Sequence, residues 1–261
     1  DGQGKVLIGG SIFAQRDLML SSGRSDDRKD FELQPSGELE SASRDVVINS
    51  QQAMVVAGEV IARGMGSKIL MSAQEQIYVS GKLSAARDIL IDSYGKNDSI
   101  AGGKNDSIAG STESVGSVYV NSTSLFLTYE NGSRIHIRSE HQVTLNAPIL
   151  TVGLSSSILL EASYGRVEIS SEAGRIASDG LITAKGGFID LFGVVELLTD
   201  RSSSAPPPGH LLLNSTNDTF ISGNILSQGP SVTIQADGDV SLLGALVGAS
   251  YRGNQTEQPH S

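Results

Sequence analysis

The chain has 261 residues, a net charge of −10, 38% hydrophobic and 18% charged residues, and neither Cys nor Trp. The acidity argues against a nucleic-acid surface or tight docking on anionic lipid, since both need clustered Lys and Arg. Absent Cys excludes a disulfide framework and a thiolate metal site. With aromatics at 5% and Gly at 30 residues, small aliphatic side chains must fill any core.

In chain order, short runs of period-two alternation predict strands at 5–8, 17–20, 45–49, 68–71, 76–79 and 88–91. The pattern continues at 118–120, 125–127, 134–137, 142–145, 158–160 and 167–169, and then at 188–191, 194–197, 232–234 and 239–242. The runs end at Gly, Ser, Asn or Asp, and no segment shows capped helical periodicity. Three strands share one pattern: a small residue, any residue, Arg-Asp, three apolar residues, any residue, Ser. It occupies 14–22, 42–50 and 85–93, with Arg16-Asp17, Arg44-Asp45 and Arg87-Asp88 expected at corners. Recurring corners, few aromatics and small corner residues such as Gly58, Gly81, Gly165 and Gly174 predict an all-β fold, a β-solenoid (β-helix) of stacked short strands.

Interruptions set the expected organisation. Residues 1–199 read as the main solenoid, with a small charged loop at 24–30 and a Gly/Ser-rich loop at 94–116. In that second loop, the octapeptide at 95–102 repeats at once at 103–110. Residues 200–210 read as a Pro-rich linker, 211–251 as additional strands, and 252–261 as a tail. The additional strands are expected either to cap their own stack or to add rungs to another chain. The start, Asp1-Gly2-Gln3-Gly4, shows no signal peptide, so the chain reads as a mature product or the ordered piece of a longer one. The apolar run at 240–249 is too short and Gly-rich to span a bilayer.

Seven Asn residues begin an Asn-x-Ser/Thr sequon: Asn97, Asn105, Asn121, Asn131, Asn214, Asn217 and Asn254. Chance would give about two, so the excess points to N-linked glycans and the secretory pathway. The expected location is extracellular or at the cell surface.

Residues 157–174 carry an apolar-Glu161-Ala162 corner, then Gly165-Arg166-Val167-Glu168-Ile169, then Ala173-Gly174. This resembles the extracellular β-helical repeats of the sarcoglycans, loosely over 131–200. The Arg-Asp corners look similarly like the repeats of filamentous-haemagglutinin adhesins. The sarcoglycan resemblance implies a membrane-associated glycoprotein whose ectodomain winds around partner chains. The chain departs from that family in lacking its Cys-rich C-terminal segment and a membrane span.

Site chemistry gives less. Of the four His, His136 and His141 lie near one strand end with Glu140 as the one obvious further ligand, and surface imidazoles are the expectation. Glu38 and Glu40 share a strand face, and Asp26-Asp27 lies in the charged loop, but no aromatic sugar platform accompanies either pair. The duplicated octapeptide is one residue short of a calcium-binding nonapeptide repeat, which breaks the ligand register. No nucleophile elbow or phosphate loop is present, and Gly2-Gln3-Gly4 and Gly64-Met65-Gly66 lead into no helix. No catalytic residue, metal or cofactor is expected. The expected function is a non-catalytic structural or assembly ectodomain that makes homo- or hetero-oligomeric contacts through its lateral faces and ends. The alternative is a bacterial haemagglutinin-like surface adhesin.

Overall fold

The structure, a computed structural model, describes residues 4–23, 29–95, 116–198, 209–227 and 231–249. The chain climbs through three parallel sheets, giving one strand to each in turn. The first sheet starts with Val6–Ile8, Lys29–Leu33, Ala53–Val56 and Ile77–Val79. The second starts with Ser11–Ala14, Glu38–Ser41, Glu59–Ala62 and Lys82–Ala85. The third starts with Leu18–Ser22, Val46–Ser50, Lys68–Ala73 and Asp88–Ser93. The cycle holds to Leu246–Ala249, giving sheets of ten, ten and nine strands among the described residues. This is the expected β-solenoid, with a rung rise of about 4.8 Å.

The registers explain why these sequences stack. Side chains alternate in and out along a strand, so in-register pairing superposes like positions from rung to rung. Phe31, Met54, Ile77, Val118 and Val143 form one inward column of the first sheet. Leu39, Val60, Leu83, Phe126 and Ile149 do the same in the second, and Ile69, Ile89, Ile135 and Ile158 in the third. All are fully buried, and each such side chain stabilises the stack by about 1.5–3 kcal/mol relative to exposure.

The corners need small or hydroxylated residues. Ser41 Oγ donates to Arg16 O at 2.6 Å, Ser50 Oγ to Ala53 O at 3.2 Å, and Thr151 Oγ1 to Ser178 Oγ at 2.8 Å. These three buried hydroxyls thus satisfy themselves and their acceptors, whereas Ser22 Oγ and Ser139 Oγ have no hydrogen-bond partner. At the corner joining the first and second sheets, Gly37, Gly58 and Gly81 stack. A Cβ on Gly58 would lie 2.1 Å from Gly37 O, and one on Gly81 1.8 Å from Gly58 O. No side chain fits between successive rungs there.

Both long interruptions enter at corners. Residues 94–116 lie between Asp88–Ser93 of the third sheet and Ser117–Val120 of the first. The Pro-rich segment lies between Val194–Leu197 of the second sheet and His210–Ser215 of the third. The ladders resume across both: Val118 pairs with Ile77, and Leu211 with Ile182. The strands after the Pro-rich segment stack on their own chain, with Thr219 on Ile189 and Ile225 on Val195. The octapeptide repeat, the Pro run and the tail lie outside the described residues.

Candidate functional site

The Arg-Asp motifs sit at corners between the second and third sheets, with their apolar residues feeding the third-sheet columns. Their aspartates hold the next rung. Asp17 Oδ1 accepts from Asp45 N at 3.3 Å, Asp45 Oδ1 from Lys68 N at 2.9 Å, and Asp88 Oδ1 from Arg134 N at 3.1 Å. The Asp88 side chain is fully buried and also meets Lys68 Nζ at 3.3 Å and Arg134 Nη2 at 3.4 Å. Their chemistry is a corner clamp.

The third sheet has the longest strands. Asp92, Arg138, Glu161 and Lys185 occupy one register position on successive rungs, with alternating sign. In-register parallel strands would otherwise place like charges side by side, which is destabilising. In the neighbouring column His136 lies between Leu90 and Leu159. Its Nε2 is 3.7 Å from Glu161 Oε2. Burial pushes the imidazole below its ordinary pKa, partly offset by Glu161 and Asp92 and assisted by Arg138.

The candidate ligands do not converge. His141 is exposed in the turn after the His136 strand, and Glu140 is half-buried beside it. No group of three His, Cys, Asp or Glu that could hold a metal occurs among the described residues. His210 Nδ1 pairs with Ser231 Oγ on the next rung. His260, Asp26-Asp27 and the near-calcium octapeptides lie outside the described residues. Glu38 and Glu40 do project together from the second sheet. Glu40 takes two hydrogen bonds from Arg63, at 2.7 and 3.3 Å. The Arg63 hydrogen bond, helped to a smaller extent by the Arg63 charge, holds its carboxyl below the usual range against an opposing desolvation. A sugar-cleaving acid needs the opposite shift.

Four sequons are described, with their asparagines on the outside of the stack, although the sequon residues Ser133 and Thr219 are fully buried. Asn121, Asn131 and Asn217 lie in turns, whereas Asn214 is an outward position within His210–Ser215, between Lys185 and Gln235. Asn97, Asn105 and Asn254 lie outside the described residues. Asn131 Oδ1 accepts from Leu154 N at 2.9 Å. Asn121 Nδ2 donates to Tyr78 Oη of the preceding rung. Tyr78 was not legible as a neighbour of a sequon, because the 94–116 insertion separates the two residues in sequence.

The segment at 157–174 spans the corner from the third to the first sheet. Ile158, Leu160 and Ala162 face inward, then Val167 and Ile169, and a short 3₁₀ turn at Ser171–Ala173 closes on Gly174 at φ +67°. Among the described residues no helix is long and apolar enough to cross a membrane. No family model, curated protein or solved structure matches the chain.

Proposed function

We propose that this chain is a non-catalytic structural ectodomain of an extracellular, membrane-associated glycoprotein assembly. The observation that carries the reading is the sequon excess, seven of ten Asn residues, on a solenoid whose described sequon asparagines all lie on the outside. Glycans there would keep the long outer faces soluble and block unwanted edge pairing. The 157–174 likeness to sarcoglycan repeats supports a stack that works alongside other chains.

Such a body contacts partners through its faces and its ends. At the last described rungs, core-column positions are exposed: Val240 is 46% exposed, Leu242 57% and Val247 40%. Their partners one rung earlier, Thr219, Ile221 and Ile225, are fully buried. A further rung, whether of this chain or of another packed end-on, would cover these residues.

The decisive experiment is treatment of the native protein, isolated from its own source, with an N-glycosidase, followed by intact-mass measurement. A large mass loss is expected, and an unchanged mass would overturn the reading. The Arg-Asp corner clamp, repeated at Asp17, Asp45 and Asp88, favours a second reading as a haemagglutinin-like adhesin. That reading requires an unglycosylated native chain.

A further inference from the structure

We propose that Asn121 carries an N-linked glycan whose first sugar packs against the ring of Tyr78. The inference rests on the secretory-pathway reading above and adds to it a specific site with a built-in platform.

The Asn121 turn is held firmly. Asn121 N donates to Val79 O at 2.8 Å, and Ser124 N to Asn121 O at 3.0 Å. Thr123 Oγ1 donates to Ser80 O at 2.8 Å, and Ser124 Oγ to Val79 O at 3.0 Å. Four hydrogen bonds therefore pin the turn to itself and to the corresponding corner of the preceding rung. Ser122 and Thr123 remain exposed, so the sequon surface is open.

The amide has room for the modification. Nδ2 carries two hydrogens, and one is used toward Tyr78 Oη. In the transfer, a bond forms between Nδ2 and C1 of the sugar as the C1–O bond to a polyprenyl-pyrophosphate donor breaks. The amide loses one proton, and the pyrophosphate lipid leaves. The remaining N–H can keep its bond to Tyr78, which fixes C1 beside the phenol. Thr123 takes the Ser80 side of the turn, while Tyr78 is 38% exposed and in register with Tyr119 below it. An aromatic ring with one wet face offers a hexosamine an apolar surface next to a hydrogen-bonding edge.

The experiment uses the full chain secreted from eukaryotic cells. Glycopeptide mapping should find Asn121 occupied. Asn121→Gln should lower the thermal midpoint by about 2 °C or more. In a Tyr78→Ser background the same substitution should have no further effect, while Tyr78→Phe should retain it. Should Tyr78→Ser fail to fold, the N-acetyl methyl protons of the Asn121 glycan serve instead; ring current should move them upfield of those at Asn131. Occupancy at other sequons with Asn121 empty would overturn this proposal and leave the broader reading standing. No occupancy anywhere would overturn both. An occupied Asn121 with additive effects and an unshifted methyl signal would overturn the stacking.

Discussion

Both carboxylate oxygens of Glu130 meet the backbone N–H of Gly66, at 3.0 and 3.1 Å, across 64 residues of sequence. Gly66 precedes Lys68, and Glu130 precedes Arg134; between those two strands in the ladder lies Asp88. The bond therefore skips a rung. The intervening corner is only Ala86-Arg87, and its shortness lets a long side chain from below reach the longer loop above. Gly66 adopts φ +72°, a conformation most residues resist. Glu130→Ala should cost about 1–2 kcal/mol, since a charge-assisted bond is lost and the freed N–H is only partly open to water. Glu130→Gln should recover part of this. Urea titration of the three proteins measures the difference.

The Asp clamps should differ in worth according to burial. The Asp88 side chain is fully buried and satisfies one amide and two cations, whereas that of Asp17 is 43% exposed and lies 4.0 Å from Arg44. Asp88→Ala is expected to destabilise by about 2–3 kcal/mol. Asp17→Ala should cost about 0.5 kcal/mol, in the range of exposed pairs. Equal losses at both positions would contradict the assignment of the clamp energy to desolvation.

Two of the three sheets were largely legible in the sequence, because their strands carry alternating Val, Ile and Leu. The second sheet was mostly missed. Its strands, such as Lys82-Leu83-Ser84-Ala85, hold one buried aliphatic and one small corner residue each. Their signal lies in rung-to-rung repetition, which local alternation does not report. Lys82 pairs with Glu59, and Lys68 N with Asp45, each 23 residues apart. The spacing is 28 between Asp17 and Asp45, 24 between Arg166 and Asp190 and 21 between Asp218 and Asp239, and the insertions at 94–116 and 200–210 break it further. The sequons were plain from the sequence, but the contact of Asn121 with Tyr78 depends on the rung assignment, so it was not.

Phe126 is the widest side chain in its column, between Leu83 and Ile149, and fully buried. Aromatic truncation in such a site costs about 3–5 kcal/mol. A solenoid is held together by neighbour contacts, so the loss should stay near the cavity before it spreads. In Phe126→Ala, hydrogen exchange should accelerate first in Lys82–Ala85, Leu125–Thr128 and Ile149–Thr151. Uniform acceleration from Val6 to Ala249 would show instead that the stack opens as one unit.

His136 gives the stack a dependence on mild acid. The folded imidazole lies below its ordinary value because burial between Leu90 and Leu159 outweighs the pull of Glu161 and Asp92. The unfolded chain keeps a value of about 6.5 and so binds more protons in the window just below it. Stability is therefore full above about pH 7 and falls as pH drops through 6.5 toward the folded value. His136→Leu extends the aliphatic column and removes the titrating group. Its thermal midpoint should change less between pH 7.5 and 5.5 than that of the parent chain. An NMR titration of the parent should place the His136 midpoint below 6.5, and a midpoint above that value would mean that Glu161 outweighs burial at this site.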